Sequence, residues 1–277
     1  MRKLCPALGL LLLYTPQGAY AQDSGSPSAS ELRELCTERP GLTTAACTVD
    51  PGHLQLEVGL ADWERDKDPD ERKDTLKLGD IQLRYGLAAQ TEVQISWSAY
   101  VRTVTRDYQA NVLERAHGIG DLTIGLKQNL KHPQEKANGL AAGMLPYITL
   151  PTGTNQGGDG DWSAGLVVPL SYKFNDTLLL AVSPRAEAAV DEDRSGRHFA
   201  YGAAAGIQIS LSDKIRMSPE VEIMRDRDPA DVATLASAAL SLAWRIKEMT
   251  QLDVQYVAGL NSDTPDVRLA IGISRKF

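Results

Sequence analysis

The sequence is short of cysteine, histidine, aromatic residues and positive charge, and it contains no apolar run long enough to be a membrane-spanning helix. Each shortage excludes something. The three cysteines never cluster with histidine, so a zinc site of the structural type has no ligand set. The histidines, His53, His117, His132 and His198, are scattered, and no Gly-x-Ser-x-Gly elbow occurs. A net charge of −7 and a pI near 5.2 argue against nucleic acid, which requires a basic surface. Aromatic content is 6 %, and a mean hydropathy of −0.25 rules out a helical membrane protein. It does not rule out a membrane β-barrel, whose wall alternates apolar and polar residues, so that the average conceals the apolar half.

The first residues point to export. Arg2 and Lys3 precede an apolar stretch from Leu4 to Leu13, and Ala19-Tyr20-Ala21 has the small-x-small form that signal peptidase cuts. A signal peptide over residues 1–21 is therefore expected. The stretch has about ten apolar residues, against roughly 18 for a retained anchor. Removing Arg2 and Lys3 takes the basic count from 29 to 27 against 36 acidic residues, a mature net charge of −9. Cys5 leaves with the leader, and the remaining pair, Cys36 and Cys47, is expected as one disulfide in an oxidising compartment. Residues 22–51 are rich in Ser, Thr and Pro and read as a periplasmic N-terminal extension with one short helix at Ser30 to Cys36. Whether it enters the barrel is open at this point.

Beyond Pro51 the hydrophobic period becomes two. Val93, Ile95, Trp97 and Ala99 alternate with Gln94, Ser96 and Ser98, and Val267, Leu269, Ile271 and Ile273 alternate with Arg268, Ala270 and Gly272. Such alternation gives each strand one apolar and one polar face. Twelve strands fit, near residues 53–63, 77–88, 91–104, 119–131, 139–151, 161–174, 177–190, 197–211, 214–225, 232–246, 250–260 and 266–277. Tight connections at 88–90, 175–176, 212–213 and 247–248 alternate with long polar ones at 64–76, 105–118, 152–160, 191–196, 226–231 and 261–265. That is the order of periplasmic turns and outer loops. The expectation is an all-β fold over residues 52–277, a closed antiparallel transmembrane barrel of about twelve strands in a Gram-negative outer membrane.

The wall carries many charges, all in the polar row. The first half contributes Glu57, Asp80, Arg84, Glu92, Arg102, Asp121 and Lys127. The second contributes Lys173, Arg185, Glu187, Glu220, Glu222 and Arg245, with Arg216, Asp253 and Arg268 in the same register. An Arg or Lys facing lipid near the midplane costs on the order of 2–4 kcal/mol, so these residues are expected to line the lumen. Twelve strands about 4.8 Å apart enclose a backbone cylinder roughly 24 Å across, which side chains narrow to roughly 10 Å. Such a lumen is either a narrow polar passage or one sealed by its own ion pairs.

Other motifs are weaker. Asp66, Asp68 and Asp70 mimic the start of a calcium loop, but Glu71 stands where Gly is required, and Gly157-Gly158-Asp159-Gly160 is unrepeated. No metal or cofactor is expected. Twelve strands also suit an outer-membrane phospholipase, yet His198 lies in the lumen row without a serine beside it, so no enzyme is expected. Trp162, Phe199 and Tyr201 fall near outer strand ends, while Tyr172, Phe174, Trp244 and Phe277 fall near inner ends, as two thin girdles. A terminal Phe277 on an alternating strand resembles the signal read by the outer-membrane assembly machinery. Arg275 departs from it, standing where an apolar residue is usual.

Two stretches, Gly118-Ile119-Gly120-Asp121-Leu122 running on to Lys127, and Pro146 to Gly153 followed by Gly157, Gly158 and Gly160, resemble the family described as the MetA-pathway of phenol degradation. The likeness spans about residues 50–277. It implies an outer-membrane barrel transporter passing small, including aromatic, molecules. The leading expectation is a passive channel for small solutes whose partners are its solute, outer-membrane lipid and lipopolysaccharide, and, through Phe277, the assembly machinery. The alternatives are a sealed structural barrel and a lipid-modifying enzyme.

Overall fold

The computed structural model describes residues 32–133, 137–154 and 157–277. The expected signal peptide lies outside them, as does the start of the expected helix at Ser30. Residues 32–36 are not helical. The carbonyls of Arg33 and Cys36 accept instead from side chains of the barrel wall.

Fourteen strands form one antiparallel sheet: β1 (Leu54–Lys67), β2 (Glu71–Ala88), β3 (Thr91–Asp107), β4 (Val112–Gly118), β5 (Leu122–Lys131), β6 (Gly139–Leu150), β7 (Ser163–Val167), β8 (Leu170–Lys173), β9 (Leu178–Val190), β10 (Arg197–Ser210), β11 (Ile215–Arg225), β12 (Thr234–Lys247), β13 (Thr250–Gly259) and β14 (Val267–Lys276). β4 and β5 both pair with β3, and β7 and β8 both lie between β6 and β9. Each couple is one wall strand, interrupted at residues 119–121 and at Val168-Pro169, so the wall has the twelve strands expected. Proline supplies no N–H to a ladder, which accounts for the second break. First and last strands meet, Val58 opposite Ile273, and the cylinder closes without an edge.

The apolar row faces out. Leu126, Ile207, Val221, Leu240, Tyr256 and Ile271 are exposed, while their neighbours Lys127, Glu220, Ser241 and Gln255 are buried. With no water at membrane depth to satisfy backbone groups, only such a closed ladder is stable there. The girdle residues sit as expected: Phe199 stacks with Tyr201 at the outer end, and Tyr172 meets Phe174 at the inner end. Arg275 lies over the ring of Phe277, 4.8 Å from its centroid, so the basic residue in the outward row is held by the terminal aromatic. Phe277 itself exchanges backbone hydrogen bonds with Leu54.

Two of the expected outer loops are largely strand. β1 and β2 run on to a turn at residues 68–70, and β3 and β4 to one at 108–111, so residues 64–76 and 105–118 are projecting hairpins. Asp68 Oδ1 accepts from Asp70 N and Glu71 N, and Asp107 Oδ1 accepts from Gln109 N and Ala110 N. The polar composition of these segments resembles loop, but ladder hydrogen bonds need no apolar side chain. The tips are joined, Tyr108 N donating to Asp70 O.

Candidate functional site

Residues 33–50 lie inside the barrel. They have no regular structure, and many of their backbone groups are bonded to inward side chains of the wall. Glu57 (β1) accepts from Glu38 N and Arg39 N, and Glu92 (β3) accepts from Val49 N at 2.6 Å. Glu220 (β11) accepts from Leu42 N and Thr43 N, and Ser183 (β9) from Thr44 N. In the other direction, Lys127 and Asn129 (β5) donate to the carbonyls of Ala45 and Ala46, Gln251 (β13) to that of Arg39, and Lys276 (β14) to that of Arg33. Irregular backbone at membrane depth is tolerated only where protein covers it, and here the wall provides most of the partners, with Arg33 N and Ala45 N bonded within the segment to Asp50 and Glu38.

Arg84 (β2) is the centre of this arrangement and is wholly buried. It reaches Glu57 at 3.0 Å, Glu92 at 2.8 Å and Glu38 at 3.7 Å, and donates to the carbonyls of Cys36 and Cys47. Lys127 pairs with Glu38 and, at 3.6 Å, with Glu92. Two cations and three carboxylates thus share one dry cluster, and the Cys36–Cys47 disulfide sets the two carbonyls side by side for one guanidinium. Arg39 pairs with Asp253 at 3.2 Å and Lys276 with Asp50 at 2.8 Å.

All these contacts lie in the half of the barrel with the short turns. In the outer half the inward residues pair among themselves: Arg185 with Glu222 at 3.5 Å, Arg268 with Asp62, Asp80 with Ser98. Glu187 lies against Tyr147. The Arg185 side chain is 39 % exposed although it points inward, so solvent reaches this half of the lumen. At the periplasmic rim, Lys173 pairs with Asp176, Arg216 donates to Gln251, and Arg245 stands 4.0 Å from Glu34.

Asp121 does not line a passage freely. Its carboxylate accepts from Gly153 N at 2.6 Å and Asp159 N at 2.7 Å, tying down the loop after β6. The two glycine-containing stretches meet here. A Cβ on Gly118 would stand 2.0 Å from Thr154 O, and one on Gly157 2.4 Å from Ile119 O, so backbone passes against backbone where no side chain fits. The motif is an architectural joint. Arg194 fastens the same loop by donating to Gly158 O.

Arg102 requires a correction: it faces outward. A register shift after Gly59 in β1 and the positive φ of Gly79 in β2 displace the pleat, so that above them the rows exchange faces. Val101 and Thr103 are buried, Arg102 is exposed, and Arg102 shares its row with Trp63, Leu76 and His117. The outer face of the two hairpins therefore carries Arg65, Arg72, Arg102, Arg106 and Arg115 with one carboxylate, Asp74, which Arg65 and Arg72 already share. Sequence reasoning also missed Glu38 and Arg39, which complete the lumen network. The one available signal was the surplus of wall charges without partners.

No curated protein sequence matches the chain. Among solved structures it is similar to the COG4313 outer membrane channel from Pseudomonas putida F1, at 15 % identity and a TM-score of 0.67, over 83 % of this chain and 97 % of that one. It is also similar to the transport unit of the autotransporter AIDA-I from Escherichia coli, at 10 % identity and a TM-score of 0.51, over 81 % and 90 %. At these identities the likeness establishes the outer-membrane barrel fold. Residues 37–277 match the sequence profile of the MetA-pathway of phenol degradation, and the chain belongs to that family.

Proposed function

We propose that the chain is a passive outer-membrane channel for small solutes, with residues 33–50 as its periplasmic constriction. The observation that carries this reading is the exposed yet inward-facing Arg185 beside Glu222 and Glu187: the outer half of the lumen is charged, wet and open to solutes. The narrow bore limits them to small molecules, and the family description makes small aromatic compounds the first class to test. No catalytic role is assigned, because His198 stands among carboxylates instead of beside a serine. A sealed structural barrel is the second reading, favoured by the many wall contacts of residues 33–50. Planar-bilayer conductance and vesicle solute uptake test the two. Small discrete currents are expected from the parent and larger ones from Glu220→Gln, which weakens the anchor of Leu42 and Thr43. Absence of current and flux from both proteins would leave the sealed barrel.

The lipid partner follows from the outward arginines. Arg102, Arg106 and Arg115 make no ion pair among the described residues and stand just beyond Tyr100 and Trp63, at the level of the outer-leaflet headgroups. Guanidinium groups bind phosphate in a bidentate fork, so the patch suits the phosphates of lipopolysaccharide. Replacing all three with Gln should reduce co-purifying lipopolysaccharide several-fold, and an unchanged amount would remove this partner. Phe277 is proposed as the contact for the assembly machinery.

A further inference from the structure

At the outer end of the barrel four side chains converge. Asp191 follows β9, His198 is the second residue of β10, and Asp226 and Asp228 follow β11. His198 Nδ1 lies 2.9 Å from Asp191 Oδ1 and 3.4 Å from Asp228 Oδ2, and its Nε2 lies 2.5 Å from Asp226 Oδ1. The ligand atoms of Asp191, His198 and Asp228 all fall within 4.8 Å of one another.

Two observations separate this group from an ordinary acidic cluster. The His198 side chain is only 5 % exposed and points into it, and despite Asp226 its Nε2 is left without an aligned hydrogen bond. The charge also fails to balance. Three carboxylates face one imidazole, which supplies a single positive charge at most, and among the described residues no Lys or Arg pairs with any of the three. Asp228 accepts from Glu192 N and Ala230 N, and Asp226 from Asp228 N, but these neutral donors leave the surplus negative charge uncompensated in a partly buried site, and a divalent cation is the partner that offsets it.

We propose that Asp191, His198 and Asp228 form a divalent metal site, with Asp226, 2.5 Å from the other imidazole nitrogen, placed to orient the ring once Nδ1 ligates. A carboxylate behind a ligating imidazole fixes ring orientation and raises its basicity. The mixed nitrogen and oxygen set suits a first-row ion such as zinc or manganese, whereas calcium and magnesium favour oxygen shells. The ion would tie the loop at 191–196 to the loop at 226–233 over the outer mouth.

The test is calorimetric titration of zinc chloride into tag-free mature protein, folded in detergent and freed of metal by a chelator. One saturable site per chain is expected. His198→Gln and Asp228→Asn should each weaken it at least tenfold, while Asp193→Asn, an exposed acid in the same loop, should leave it unchanged. Calcium chloride should not compete. Heat-modifiable gel mobility verifies that each variant is folded, and if His198→Gln fails to fold, Asp228→Asn carries the comparison. Absence of saturable binding, equal binding by Asp228→Asn, or equal competition by calcium would overturn the site.

Discussion

The two halves of the lumen use similar residues to opposite ends. In the periplasmic half, Arg84, Lys127, Glu57 and Glu92 are fully buried, and each is bound to residues 33–50 or to one another. In the outer half, Arg185 and Glu222 keep contact with solvent and pair at a looser 3.5 Å. The difference lies in what fills the bore. Below, an irregular peptide presents bare N–H and C=O groups that charged side chains can satisfy. Above, Arg185 and Glu222 meet no such peptide, so the same residue types remain accessible. A charged inner row is therefore not by itself a selectivity filter. In this barrel half of it is an anchor.

Removing the centre of the anchor should produce the largest effect. Arg84→Ala strands Glu57 and Glu92 in a dry site, and breaking a buried pair on one side costs about 3–5 kcal/mol. Arg106→Ala on the exposed hairpin should cost under about 0.5 kcal/mol. Urea unfolding in lipid vesicles measures both. Equal losses would show that the two regions do not differ as the contacts indicate.

Next comes the disulfide. Cys36→Ser reopens a loop whose closure stabilises by roughly 3 kcal/mol in the chain-entropy model. It also releases the two carbonyls that Arg84 holds. Conductance should rise, and amide exchange should quicken at Val49 and Thr43, whose N–H groups donate to the wall. If neither changes, the wall alone holds the segment and the disulfide serves only the unfolded chain.

The contrast between the halves also marks how far the sequence could be read. Twelve wall strands, the periplasmic turns, the girdles and the closing strand were legible because lipid on one side and polar groups on the other impose a period of two. That period reports faces only as far as the first bulge. Past Gly59 and Gly79 it assigned Arg102 to the wrong side, and polar composition disguised two hairpins as loops. Residues 33–50 have no period at all, because their partners are side chains on eight different strands. Likewise His198 meets Asp191, Asp226 and Asp228 only when three outer strand ends come together.

The smallest predicted effect concerns the loop over the outer mouth and sharpens the comparison from above. Asp159 lies in that loop, bonded through its N–H to Asp121. Partial desolvation in the packed loop raises its carboxyl above the ordinary 3.8 even though the residue keeps contact with solvent, Asp121 and Glu187 add to the rise, and Lys77 and Arg194 partly offset it. A raised carboxyl binds its proton more tightly with the loop packed than with the loop released. The packed position is thus favoured at acid pH and loses that advantage as pH climbs from about 3.8 through the raised value. Conductance should therefore be lowest in acid and increase modestly toward neutrality. Asp159→Asn, which cannot ionise, should hold the acid-like level throughout and flatten the profile. A profile that survives Asp159→Asn but disappears in Glu220→Gln would place the pH response in the periplasmic half and reverse the roles assigned to the two regions.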